Sequence, residues 1–221
     1  MENIESLTVI IAIFIVIRLL SFARSNAKAK RVGKEGEKEL FRILTSCKSR
    51  GDYAIGNLYI PTSDESITEL DGLFINKRGV FVIEAKAYRG TIYGSERNHD
   101  WTKAMMTGNG VDKRTFYNPI MQNSGHVKAV RNLLGAQSLP IYNVVAFSDS
   151  ADLSNIDVKS KDVFVVNYKD IPTLLADPRL PECLRKEDIN LLSKKLRKYR
   201  KVKASVKRKH IKTIKKLYEK E

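Results

Sequence analysis

Glu69-Leu-Asp-Gly-Leu-Phe-Ile-Asn-Lys-Arg-Gly-Val-Phe-Val-Ile-Glu-Ala-Lys86 is the stretch on which the fold turns. Two apolar runs, Leu73-Phe74-Ile75 and Val80-Phe81-Val82-Ile83, flank Asn76-Lys77-Arg78-Gly79, and short apolar runs on either side of turn residues read as a β-hairpin. If Asn76 pairs with Gly79 around a two-residue turn, Asp71 lies opposite Glu84 on the same face, with Cβ atoms roughly 5 Å apart. Alternation places Lys86 on that face too, beside Glu84. A slip of one residue would send Asp71 to the other face. Two carboxylates and an ammonium at the ends of apolar strands are not packing residues. An isolated ionised group in a core costs several kcal/mol, so such groups shift their pKa, find partners or hold a metal.

A carboxylate on one strand and Glu-x-Lys on its neighbour suit phosphodiester hydrolysis. Mg²⁺ takes oxygen ligands, commonly one or two carboxylates, and keeps waters and a substrate phosphate oxygen. Asp71 and Glu84 supply such ligands, and Lys86 is placed to orient or help deprotonate the attacking water and to steady developing negative charge. Upstream, residues 32–46 show helical periodicity, with Gly33, Glu37, Leu40, Phe41 and Leu44 on one stripe. An inward Glu37 would complete or orient the metal shell; the alternative is a solvated residue at the stripe's edge.

Around this hairpin the chain reads as one α/β domain. Strands are expected at residues 53–60, 70–76, 80–86 and 91–93, and continuous apolar runs at 141–147 and 163–166 suit strands covered on both faces. Residues 94–116 are polar and contain glycine, and read as a long surface excursion of the kind that binds substrate. Asn118-Pro119 resembles an N-cap followed by proline at the first helical position, and Gly135 a C-cap. Gln122 and His126 are four apart on that helix and share a face. A helical turn follows at 171–175, and helix again from Glu187, with Leu192, Leu196, Tyr199, Val202 and Val206 in one narrow stripe.

The segments Gly33-Lys-Glu-Gly36-Glu37, Glu69-Leu-Asp71-Gly72-Leu-Phe-Ile75 and Val82-Ile-Glu84-Ala-Lys86, the region of Gly90 and Trp101, and Asn118-Pro119 with Gln122 and His126 occur together in this order. In that combination the chain resembles the nuclease-related domain (NERD) family, a branch of the PD-(D/E)xK nuclease superfamily, over about residues 32–147. The resemblance implies a restriction-endonuclease-like mixed sheet of four or five strands flanked by helices. It also implies metal-dependent cleavage of nucleic acid, with active-site roles for Glu37, Asp71, Glu84, Lys86 and Gln122; Mg²⁺ or Mn²⁺ is the expected metal, and DNA rather than RNA the expected nucleic acid. Leu70 stands before Asp71 where the superfamily label has proline, a mild departure.

Charge and hydropathy frame the domain. The chain has 221 residues, 43% of them hydrophobic, and a net charge of +15. Residues 194–221 hold 14 Lys/Arg against two Glu, so the basic excess belongs to a C-terminal helix. Three readings compete for this tail. Lys194, Lys195, Arg197, Lys198, Arg200, Lys201, Lys207, Arg208 and Lys209 neutralise nucleic-acid phosphates, or the helix lies on an anionic leaflet, or it is a solvated coil. Cys47 and Cys183, without CxxC, suggest neither a disulfide framework nor a zinc site. Residues 7–23 are nearly all apolar with Arg18 the one charge, and 17 helical residues reach about 25 Å, enough for a marginal membrane span. The basic flank Arg24, Lys28, Lys30 and Arg31 follows this span, placing residues 1–6 outside and the bulk of the chain in the cytoplasm. The expected layout is thus a single-pass cell-membrane anchor, a basic linker at 24–31, the nuclease domain at 32–180 and a basic tail at 181–221. Nucleic acid, the membrane and a second copy of the chain are the expected partners. A membrane-tethered nucleic-acid-binding protein that no longer cuts is the competing reading.

Overall fold

The structure, a computed structural model, describes residues 27–62, 66–108, 110–135 and 137–200. The expected membrane span at 7–23 and the tail beyond residue 200 lie outside these. Among the described residues no helix is long and apolar enough to cross a membrane.

The hairpin forms in the register that the turn dictates. Strands β2 (Ile67–Asn76) and β3 (Gly79–Lys86) pair antiparallel from Asn76↔Gly79 to Gly72↔Ile83. Gly79 has φ +137°, and a Cβ there would lie 2.6 Å from the Pro140 carbonyl oxygen, so only glycine closes this turn. β1 (Tyr53–Pro61) pairs antiparallel with β2, while β7 (Ile141–Phe147) runs parallel to β3 and β9 (Val163–Asn167) parallel to β7. The result is a mixed five-stranded sheet in the order β1-β2-β3-β7-β9.

Alternation along β3 divides the core between two faces. Val80 and Val82 pack with Leu73, Ile75 and Ile141 beneath α2 (Pro119–Leu134) and α4 (Lys186–Arg197). Phe81 and Ile83 pack with Phe74 and Val144 beneath the first helix, α1 (residues 27–46), and α3 (Ile171–Leu175). Leu40 and Leu44 of α1 are fully buried, each contributing about 1.5–3 kcal/mol by leaving water. Phe41 departs from the expected stripe: it is 43% exposed, and its ring covers Gly56 at the edge of the sheet. Ile189, Leu192 and Leu196 of α4 belong to the core, so the domain body extends past residue 180 into the expected tail.

Residues 94–116 are not an irregular excursion. β5 (Asp100–Thr107) and β6 (Gly110–Tyr117) form a hairpin that joins β4 (Gly90–Ser95) and β8 (Ala151–Asp157) in a second sheet, ordered β6-β5-β4-β8. Trp101 fastens this sheet to the first. Its fully buried ring lies parallel to Phe147 at 6.4 Å between centroids, and its indole N–H donates to the Ser95 carbonyl at 2.9 Å.

Candidate active site

The site begins where the ladders stop. β1–β2 pairing steps from Gly56↔Gly72 to Leu58↔Leu70, over Asp71, and the β2–β3 ladder ends at Gly72↔Ile83. Asn57, which would face Asp71, takes the left-handed φ of 51°. The strands therefore separate at Asp71, as at the bulges that recur beside functional sites. The Ala85 N–H freed from the ladder donates to Asp71 Oδ2 at 2.9 Å. Beyond this point β3 is held by β7 alone, through Glu84↔Val145 and Lys86↔Phe147.

α2 supplies the opposite wall. Asn118 caps it, accepting from the Ile120 N–H at 2.9 Å while its amide donates to the Asn98 and Glu96 carbonyls. Gly135 closes the other end in the left-handed conformation, φ 63°. The helix is pinned to the sheet by fully buried Asn123, whose Nδ2 donates to the Val82 carbonyl at 2.9 Å and to Asn143 Oδ1 at 2.8 Å. One residue earlier, Gln122 then points into the cleft. Lys86 Nζ donates to Glu84 Oε1 at 2.8 Å and to Gln122 Oε1 at 2.9 Å, and Gln122 Nε2 donates to Glu84 Oε1 at 2.7 Å. One turn on, His126 Nε2 lies 3.5 Å from Glu84 Oε2, and its Nδ1 is 2.8 Å from the Thr68 hydroxyl.

The structure thus brings Glu84, Lys86 and Gln122 into one hydrogen-bonded cluster, with Asp71 at the gap beside them. Glu37 comes near but not into it. Among the described residues no three His, Cys, Asp or Glu side chains converge into a group able to hold a metal, so Glu37 does not close a three-ligand shell with Asp71 and Glu84. α1 covers the opposite face of the sheet, and Glu37, midway along it, reaches Asp71 and Glu84 only as a neighbouring charge. His126 is the residue that sequence reasoning left out of the site. Its signal was present, since it shares a helix face with Gln122. Glu69 is a second acidic neighbour, bonded to Tyr59 and close enough to act on Glu37.

Electrostatics separates the two central carboxylates. Burial pushes the Asp71 carboxyl up to about 8, the neighbouring Glu84 charge adds to it, and the Ala85 N–H only partly offsets them. Burial also acts to raise Glu84, but the His126 hydrogen bond and the Lys86 charge outweigh it and hold Glu84 below the usual range. For Lys86 the attraction of Glu84 overcomes burial and raises the ammonium's pKa. Glu37 is raised by burial, with the Glu69 and Glu84 charges adding. Asp71 and Glu84 therefore share the cleft with Glu37 acting on both as a nearby charge, and Lys86 is bonded to Glu84.

Residues 32–148 match the family described as the nuclease-related domain, which belongs to the PD-(D/E)xK nuclease-like superfamily. The chain belongs to the nuclease-related domain family. It is also 35% identical over 162 residues to a Bacillus anthracis protein recorded as uncharacterized, covering 73% of this chain and 74% of that one. No solved structure matches the chain. The NERD match contains α1 from residue 32 onward, the whole cluster around Glu84 and the β5–β6 hairpin, and ends before α4. A nuclease-like domain implies a divalent cation and contact with nucleic acid. The NERD cleft fits such a cation by the chemistry of its donors, since a carboxyl that burial and a neighbouring charge keep protonated ionises readily once a cation faces it.

The basic residues at the end of the NERD chain are partly engaged in packing. Lys195 Nζ donates to the Leu134 carbonyl at 2.7 Å, and the Arg197 guanidinium lies 5.7 Å from the centre of the Tyr53 ring. Lys194, Lys198 and Arg200 are exposed. Lys201, Lys207, Arg208 and Lys209 lie outside the described residues.

Proposed function

We propose that this protein is a metal-dependent nuclease or DNA-processing enzyme that hydrolyses phosphodiester bonds, anchored in the cell membrane through residues 7–23 with its bulk in the cytoplasm. The observation that carries the reading is the cluster in which Glu84 is bonded to both Lys86 and Gln122 with Asp71 at the gap beside it, its carboxyl raised by burial and the Glu84 charge. Asp71 and Glu84 would hold the cation, Mg²⁺ or Mn²⁺, with Glu37 and Glu69 adding negative potential from the side. When bound, that cation supplies Lewis-acid activation of a phosphate oxygen and lowers the pKa of a coordinated water.

Lys86 carries the remaining work. Its ammonium lies between a carboxylate and a neutral amide, where it can orient a water and stabilise negative charge on a leaving or attacking oxygen. Gln122 fixes Lys86 through its carbonyl and Glu84 through its amide, so one side chain holds both. His126 holds the second oxygen of Glu84. DNA is the preferred substrate, and pairing of two chains would allow both strands to be cut.

The assay is full-length protein in detergent with plasmid, linear and single-stranded DNA and with RNA, in Mg²⁺ or Mn²⁺ and in EDTA. Metal-dependent cleavage that disappears in Asp71→Asn and Lys86→Ala is expected. Full activity in either variant overturns the site assignment. One observation favours the competing reading of a binding protein that no longer cuts: Glu84 already has Lys86, Gln122 and His126 around it, and among the described residues no three-ligand group stands ready. Binding of DNA with no cleavage on any substrate would decide for it.

A further inference from the structure

The β5–β6 hairpin carries charge that the fold does not explain. Lys103 and Arg114 are directly opposed across its strands, and like charges in that position destabilise a sheet. Asp112 bonds Arg114 at 3.0 Å and acts on Lys103 only as a nearby charge, while the Lys103 ammonium lies 4.4 Å from the centre of the Tyr88 ring. Burial, with the Arg114 charge adding to it, lowers the Lys103 pKa. Lys113 adds a third cation along β6. Towards the tip the cross-strand pair Met106↔Val111 is 80% and 53% exposed, and Met105 is exposed as well. Met105, Met106 and Val111 together make an exposed apolar tip at the end of the ribbon.

The base of the ribbon adjoins the site. Tyr88 follows Lys86 by two residues, and its N–H donates to the Lys86 carbonyl at 2.8 Å, so the chain turns tightly there. Tyr88 meets Phe116 of β6 edge to face at 4.9 Å, and Trp101 anchors β5 against Phe147. Lys86, Tyr88, Lys103 and Arg114 therefore form a continuous track from the cleft onto the ribbon. A two-stranded ribbon matches the B-form major groove, about 12 Å wide, whereas the deep, narrow A-form groove excludes one.

We propose that the β5–β6 hairpin is a duplex-DNA arm, with Lys103 and Arg114 on backbone phosphates next to the cleft and Met106 and Val111 entering the groove. The proposal rests on the nuclease reading of the cleft and names how its substrate is held. Cations at the ribbon base would set the position of the strand relative to Lys86, and the apolar tip would favour duplex over single strand.

The test is binding of full-length protein in detergent to a labelled 30-base-pair DNA duplex, in EDTA to prevent cutting, from 50 to 300 mM salt. Lys103→Gln/Arg114→Gln should weaken duplex binding roughly tenfold or more and reduce the salt slope by about 1–2. Met106→Ser/Val111→Ser should lose several-fold in duplex affinity with the slope unchanged, and far less on single strands. Circular dichroism and melting temperature check that both variants fold, and Lys103→Gln alone, expected to lower the slope by about 1, serves if the double variant does not. Unchanged affinity and slope in a folded charge variant, while the parent binds duplex, overturns the arm and leaves the nuclease reading standing. A parent that binds no nucleic acid overturns the nuclease reading itself. If the variants instead lose binding to vesicles of anionic lipid with duplex binding intact, the ribbon docks on membrane and the proposal falls.

Discussion

Asp71→Asn should make the metal-free protein more stable at neutral pH while abolishing its activity. Burial and the neighbouring Glu84 charge push the folded Asp71 carboxyl up to about 8, against 3.8 for the free side chain. Below pH 4 both folded and unfolded chains are protonated at this position and nothing is lost. As pH rises, the unfolded chain gains about 1.4 kcal/mol of ionisation free energy per unit and the folded chain does not, so stability falls until the folded group also titrates. By pH 7 the loss reaches on the order of 4 kcal/mol as an upper limit. Asparagine cannot ionise, yet its carbonyl still accepts from the Ala85 N–H. The variant should therefore match the parent near pH 4 and exceed it by about 2–4 kcal/mol near pH 7 in EDTA, measured by urea denaturation of full-length protein across that range. Saturating Mg²⁺ should raise the parent's melting temperature and not the variant's, narrowing the gap. A difference that stays flat from pH 4 to 8, or a variant less stable than the parent at pH 7, would refute the electrostatic account of the cleft.

Lys86→Ala leaves Glu84 buried without its ammonium partner, so it should cost about 3–5 kcal/mol in denaturant unfolding and lower cleavage by a factor of about 10² or more. Asn118→Ala removes the α2 cap together with the donors to the Asn98 and Glu96 carbonyls; a loss of about 1–2 kcal/mol is expected from the same measurement. Gly90→Ala places a Cβ 2.3 Å from the Ala104 carbonyl oxygen at a φ of +84°. It should destabilise by roughly 2–4 kcal/mol and weaken the β4–β5 junction, read as faster amide exchange in β4 and β5 than in β7.

The register of the hairpin from Asn76↔Gly79 to Gly72↔Ile83 was legible because it depends on local geometry; the expected pairing of Asp71 with Glu84 lies one step beyond the end of that ladder. A two-residue turn between Asn76 and Gly79 leaves one register, and the two-residue period of a strand then assigns every side chain to a face. The caps of α2 were legible for the same reason: Asn118 and Gly135 answer backbone needs within a single turn of helix. The β5–β6 hairpin also had a local signal, Gly108-Asn109 between residues that pair as Thr107↔Gly110, masked by the polar strands on either side.

The remainder was decided by tertiary structure. β8 is largely exposed and polar, and joins β4 in parallel only after the chain has passed through α2 and β7, so no nearby residues announce it. His126 and Gln122 meet Glu84 because Asn123 fixes the helix on the sheet, a contact made across 41 residues of chain to Val82. Glu37 stays outside a closed ligand group because α1 covers the other face. Sequence by itself placed the charged triplet at the end of a hairpin, since turn and alternation act over a few residues. Only the packed fold could part the strands at Asp71, bring α2 over the gap and give the two carboxylates different affinities for a proton. Burial and the distances between charges are properties of the assembled chain.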